Sequence, residues 1–225
     1  MEKNKKIVIL GDSAFAEVAY ECFTHDSPYE VIGFAVEAAF LQRNKLFELP
    51  VVALETLEQS FDPENVYFYA ALVYTELNRL RTRLMHVAKS KGFRPASYVS
   101  SRSFVWHNVK LGEHAFIFED NTVQPFVVVG ENVVLWSGNH IGHHSRIGDN
   151  CFISSHVVVS GFCDVGANTF IGVNASLANN IQVGRDNWIG PGVTLLQNTE
   201  ENQLFKGLQP EPSKVSPKRF FRVRS

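Results

Sequence analysis

The chain has 225 residues, 45% of them apolar and 20% charged, with a formal net charge of −2. This is the composition of an ordinary globular protein of one or two domains, and so balanced a charge gives no reason to expect nucleic acid or an anionic membrane as partner. No apolar run reaches the roughly 18 residues that span a bilayer. The opening MEKNKKIVILG passes from charge directly into a strand, with no apolar signal core, which points to a cytoplasmic protein. Three cysteines, Cys22, Cys151 and Cys163, without a CxxC spacing, argue against a disulfide framework or a zinc site.

The first segment, residues 1–97, alternates strands and helices. Lys6–Leu10 is a short apolar run ending at Gly11, and Ala14–Phe23 has helical spacing. Tyr29–Val36 and Val66–Tyr74 are two further strand candidates. Thr75–Lys91 is predicted as one amphipathic helix, with Leu77, Leu80, Leu84 and Val87 on one face and Gly92 as its stop. The alternation implies a small parallel sheet, an α/β Rossmann-like domain.

Residues 98–200 follow a different rule. From Val99 to Glu200 the chain divides into seventeen six-residue blocks with no insertion, each opening on Val, Ile or Leu. Eight of these residues are followed by Gly, and the fifth place is mostly small or β-branched. A sixfold period sustained this long is the mark of a parallel β-helix, whose coils bury against each other a face that none buries alone. Three blocks make one triangular coil, so residues eighteen apart stack about 4.8 Å from each other. Two columns follow. One holds His107, Pro125, His143, Gly161, Asn179 and Gln197; the other holds His114, Asn132, Asn150, Asn168 and Asp186. Asn and Asp tolerate the left-handed backbone of tight corners, so the second column is expected to be structural, with His114 an exposed corner residue. The tail, 201–225, loses the period; it is expected either to cover the last coil or to be disordered.

The chemistry concentrates in WSGNHIGHHSRIG, residues 136–148, which brings together His140, His143 and His144. His143 and His144 occupy the third and fourth places of a block, where side chains leave the coil. Imidazole titrates near neutrality and suits proton transfer. Gly161, one coil on from His143, allows close approach of a substrate and offers its N–H to an oxyanion. Trp106, Trp136 and Trp188 are expected mainly to pack between coils or subunits, with Trp136 the best candidate to meet a sugar.

With these features the chain resembles the bacterial nucleotide-amino-sugar N-acetyltransferases of the left-handed β-helix class, with sialic-acid O-acetyltransferase-like relatives. The resemblance implies a left-handed parallel β-helix (hexapeptide-repeat) C-terminal domain and acetyl transfer from acetyl-CoA, without a metal, to the amino group of a nucleotide-linked deoxysugar used in surface polysaccharide. In that family a His before an I-G sequence is the general base, which falls on His143 in HHSRIG. The acidic residue that follows it in the family is here His144, so Glu119 or Asp120 is considered as a substitute. The family glycine whose amide meets the thioester carbonyl falls on Gly161. Coenzyme A lies between adjacent β-helices of a trimer in such enzymes, implicating Val173, Asn174, Ala175, Gly190, Pro191 and Gly192. The Gly-rich turn after the first strand appears as GDSAFAE, and the acidic pair after the second as Glu37, so Gly11, Ser13 and Glu37 are expected at the sugar nucleotide, with Asn139, His140 and Trp136 nearer the sugar. A closing signature of G-x-P-A-K type is matched loosely by Gly207-Leu208-Gln209-Pro210. Three other readings stay open: an O-acetyltransferase on a sialic-acid-like sugar, a trimeric β-helix zinc enzyme resembling carbonic anhydrases, and a non-catalytic binding or scaffolding β-helix.

Overall fold

The computed structural model describes residues 2–223. In its N-terminal part β1 (Lys5–Leu10), β2 (Tyr29–Val36), β4 (Leu49–Ala53), β5 (Val66–Ala70) and β6 (Arg94–Pro95) form a parallel sheet, with β3 (Lys45–Leu46) antiparallel on the β4 edge. The strand order is β3-β4-β2-β1-β5-β6. Residues Ile7 to Leu10 of β1 are all buried, because helices cover both faces. On one face α1 (Ala14–His25) sets Phe15, Ala16, Ala19 and Phe23 against Ile7, Ile9, Phe34 and Tyr69. On the other, α2 (Leu57–Ser60) and α3 (Arg79–Ser90) cover Val8, Leu10, Ala35 and Phe68.

The helix expected from Thr75 begins only at Arg79, since Glu76, Leu77 and Asn78 adopt left-handed backbone (φ 53°, 48° and 68°). Docking explains this departure. The Asn78 side chain is buried, accepts from Arg81 Nη1 at 3.2 Å and donates to the Asn168 carbonyl at 3.4 Å. The strand expected to run to Tyr74 stops at Ala70, which frees residues 71–74 to reach the second domain.

From Tyr98 the chain winds through three parallel sheets. The first face has seven strands, from Tyr98–Val99 to Leu204–Phe205; the second has six, from Phe104–Val105 to Thr194–Leu195; the third has five, from Lys110–Leu111 to Gln182–Val183. Register is eighteen residues up to the last coil, as in Phe116↔Val134, Thr122↔His140 and Val128↔Arg146. The last coil is shorter by two (Trp188↔Leu204), so the repeat contracts rather than ends at Glu200. Beyond it every side chain from Lys206 to Val223 is exposed, so the tail does not cover the coil end.

Each face contributes one inward aliphatic stack: Ile117, Leu135, Ile153, Ile171 and Ile189; Val123, Ile141, Val159, Leu177 and Leu195; Val129, Ile147, Val165 and Val183. All are buried. At roughly 1.5–3 kcal/mol per side chain, these stacks are the main stabilising term of the coil. The corners need left-handed backbone once per block, and every sixth residue from His114 to Gly192 has positive φ.

The N-terminal domain covers the first face. Tyr98, Phe116, Phe118, Phe152 and Phe170, with Trp136 and Trp188 partly buried, form one core with α1 and the sheet. Trp136 packs 5.2 Å from Phe15 and 4.2 Å from Phe118, ring centroid to ring centroid. The corner between the third and first faces completes the seam, and here His114 departs from the expectation of exposure. It is fully buried, stacked 4.4 Å from Tyr69. Its Nε2 accepts the Ala70 N–H at 2.8 Å, which leaves Nδ1 to donate to Asn132 Oδ1, also at 2.8 Å. The rest of that column meets α3: Arg81 with Asn132, Thr82 with Asn150, Arg79 with Asp186.

Candidate active site

His143 and His144 form the turn between the strands His140–Ile141 and Arg146–Ile147, at the corner between the second and third faces. In a three-sided prism this corner points away from the first face, and so away from the N-terminal domain. Both imidazoles are exposed. The His143 main-chain N–H donates to Gln124 Oε1 at 2.9 Å, which ties the turn to the coil before it. The His143 ring lies flat against Gly161 in the following coil. A Cβ at Gly161 would stand 2.9 Å from Cε1 and 3.0 Å from Nε2, so a side chain there would push the imidazole off this position. The Gly161 N–H already donates to Asn179 Oδ1 at 3.0 Å.

His143 Nδ1 is 3.2 Å from His144 Nδ1. His144, with φ 57°, is sandwiched between Phe126 (4.6 Å, 27°) and Phe162 (4.9 Å, 18°). Within the chain these two phenylalanines grip His144. Their positions one coil either side of His144 were readable from the period, but the stack was not. Glu119 and Asp120 follow the strand Phe116–Ile117 and lie on the corner between the first and second faces, so neither reaches the His143 of its own chain.

The remaining sugar-side residues separate. His140 lies on the second face beside Thr122 and Val158. Asn139 is 1% exposed, donates to the Trp136 carbonyl at 2.6 Å and accepts from Val157 N–H at 2.8 Å; with its amide committed inside the coil, it is a structural residue. Trp136 is half-buried in the domain seam, where it also borders a small cavity with Tyr74, Ser154 and Val173. Of the residues expected at coenzyme A, Val173, Asn174, Pro191 and Gly192 are exposed on the corner between the first and second faces. Ala175 and Gly190 are buried. Ala175 points into the coil core, and a Cβ on Gly190 would stand 2.8 Å from the backbone of Phe205 and Gly207, so both are coil-building residues.

Gly11, Ser13 and Glu37 do converge. With Asp12, Val36, Phe40, Leu72, Leu80 and Leu84 they line a cavity of about 270 Å³ at the carboxyl ends of β1 and β2. Gly11 has φ 110°, and Ser13 caps α1 without using its hydroxyl on the helix. Glu37 makes a two-point ion pair with Arg83 at 2.7 and 2.9 Å, and this guanidinium holds its carboxyl below the usual carboxylate range. Among the described residues, no three His, Cys, Asp or Glu side chains converge as metal ligands, and no helix is long and apolar enough to cross a membrane.

Comparison with known proteins gives this geometry a context. Residues 126–161 match the family model "Bacterial transferase hexapeptide (six repeats)". No curated protein matches the chain. Among solved structures, the acetyltransferase domain of PglB from Neisseria gonorrhoeae is 20% identical, with a TM-score of 0.81, over 91% of this chain and 97% of that one. A mutant of perosamine N-acetyltransferase from Caulobacter crescentus, in complex with CoA and GDP-perosamine, is 22% identical, with a TM-score of 0.78, over 90% and 93%. The same PglB domain in complex with acetyl coenzyme A matches at 18% identity and a TM-score of 0.64, over 91% and 97%. The chain thus shares the fold of these proteins along nearly its whole length: an α/β domain joined to a hexapeptide β-helix.

Proposed function

We propose that this protein is an acetyl-CoA-dependent N-acetyltransferase of nucleotide-linked amino sugars, built on a Rossmann-like domain and a left-handed β-helix. The observation that carries the reading is the His143 imidazole packed on Gly161 at an exposed corner of a coil whose fold is shared with acetyltransferases. His143 Nε2 takes the proton as the sugar amine attacks the thioester carbonyl carbon. The C–S bond then breaks, and the proton passes to the departing thiolate, giving the amide and free coenzyme A. No covalent enzyme intermediate is needed; the two cysteines of the coil are buried. The developing oxyanion takes the place of Asn179 Oδ1 on the Gly161 N–H, a contact worth roughly 3–4 kcal/mol in comparable sites.

The cavity at Gly11, Ser13 and Glu37 suits the nucleotide end. It has apolar walls for a base, and the amino end of α1 favours phosphate. This cavity and His143 lie on opposite sides of the prism, so one chain's nucleotide site serves the His143 of another chain. That requirement favours a homotrimer, with coenzyme A along the grooves between prisms near Val173, Asn174, Pro191 and Gly192. The compartment consistent with these substrates is the cytoplasm, and the pathway a surface polysaccharide.

The test is thiol release from acetyl-CoA with a panel of GDP-, UDP- and dTDP-linked amino sugars, set against hydroxyl acceptors of the sialic-acid type. Amine acetylation is expected, and His143→Ala should lower kcat at least roughly tenfold while binding of coenzyme A is kept. Wild-type turnover in that variant, or acetylation of hydroxyls alone, would overturn the proposal.

A further inference from the structure

Where related sites are expected to hold a carboxylate beside the basic imidazole, this chain presents a second histidine held in an unusual way. The left-handed places on the other two corners are filled by Asn, Asp, Gly and His. On the His143 corner they are Phe126 (φ 65°), His144 (φ 57°), Phe162 (φ 59°) and Asn180 (φ 63°). A bulky aromatic residue in this region is strained by roughly 1–2 kcal/mol, and two of them one coil either side of a histidine mark a site where the surroundings maintain the strain. Within one chain both phenylalanine rings are more than half exposed, so the chain's own core does not hold them there. What they do is fix the plane of His144 by stacking on both of its faces. Phe162 also meets the His143 ring edge-on, 5.0 Å away at 88°.

Resting on the reading of His143 as the base, we infer that His144, clamped between Phe126 and Phe162, is a positioning residue whose Nδ1 accepts the His143 Nδ1–H. Only one proton fits between two Nδ1 atoms 3.2 Å apart. When His143 donates it, Nε2 is the unprotonated nitrogen and lies at Gly161, the place the reaction requires. His144 then carries its own proton on Nε2. Unlike a carboxylate, this partner fixes the tautomer and ring plane without adding negative charge, and it loses its acceptor once protonated. The strands entering and leaving the corner carry His140 and Arg146, with Asp164 in register beside Arg146.

Three substitutions separate the parts of this device. His144→Phe keeps a ring for the stack and removes the acceptor. His144→Asn suits the left-handed backbone and puts Oδ1 where Nδ1 was. His144→Asp adds a charge at that same place. With acetyl-CoA and the best amino-sugar nucleotide of the panel, His144→Phe should lose roughly tenfold in kcat with KM unchanged. His144→Asn should retain most of the activity. In His144→Asp the acid limb of the pH–rate profile should move up by roughly one unit. Nitrogen-15 spectra of the histidine side chains in the wild type should show His143 protonated at Nδ1 and His144 at Nε2. The opposite tautomer at His143, or a His144→Phe enzyme with wild-type kcat and acid limb, overturns the inference. His143→Ala, measured alongside, keeps the two ideas apart. If it retains turnover the base assignment fails; if it alone is inactive, only the role of His144 fails.

Discussion

At the scale of single residues, the corner of the prism on which a histidine stands decides what it does. His143 and His114 both occupy corners, yet one stands in solvent and the other has no exposure at all. Burial lowers the His114 pKa from 6.5 to about 3. Between these two values the unfolded chain binds a proton that the folded chain refuses, so stability present above about pH 6.5 is lost as pH falls toward 3. The loss is on the order of 1 kcal/mol per pH unit. Protonation at Nε2 would also break the bond from the Ala70 N–H. His114→Asn, which tolerates φ 58°, should be less stable than wild type at pH 7.5, with the gap narrowing at pH 5. Urea unfolding at the two values measures it, and a gap independent of pH would mean that His114 titrates normally in the fold.

At the scale of elements, the regular and irregular parts of the chain obey different constraints. The β-helix strands are where the sixfold period places them, because each inward aliphatic residue repeats the same local problem of filling one side of a triangle. Helix α3 starts later than its periodicity suggests, because its first turn is set by what it docks against. Arg81 dominates that contact. It is fully buried, and its guanidinium donates to Asn132 Oδ1 and to the carbonyls of Leu72, Asn132, Asn150 and Cys151. Burial lowers its pKa to about 10, so it stays charged at neutral pH, held by carbonyl dipoles rather than by a carboxylate. Removing it leaves those acceptors without partners in a dry seam. Arg81→Ala is therefore expected to destabilise the protein by roughly 3–5 kcal/mol, read as a fall in the urea midpoint. A loss below about 1 kcal/mol would indicate that water takes over the contacts.

At the scale of the whole molecule, the N-terminal domain occupies one face of the prism and His143 the corner opposite it. The proposed activity then needs two chains for each site, which mixed assemblies can test. His143→Ala lacks the proposed base, and Ser13→Phe fills the proposed nucleotide cavity with a ring; each alone should be strongly impaired. Unfolding and refolding the two together should restore activity, since some interfaces pair an intact cavity with an intact His143. No recovery above the separate variants would show that each chain works alone.

The amino-acid sequence by itself determined the β-helix, its coil length and the outward direction of His143, because all three follow from a short local repeat. Gly11 and Ser13 lie in the turn after β1 and Glu37 lies after β2, and the parallel pairing of those two strands sets all three around one cavity. Only the tertiary structure decided that Asn139, Ala175 and Gly190 build the coil, that a column of corner residues is the seam between domains, and that two phenylalanines clamp His144. These outcomes depend on contacts between residues eighteen or more apart, or on which face the first domain covers. A repeat that presents three nearly equivalent corners carries no local signal to distinguish them.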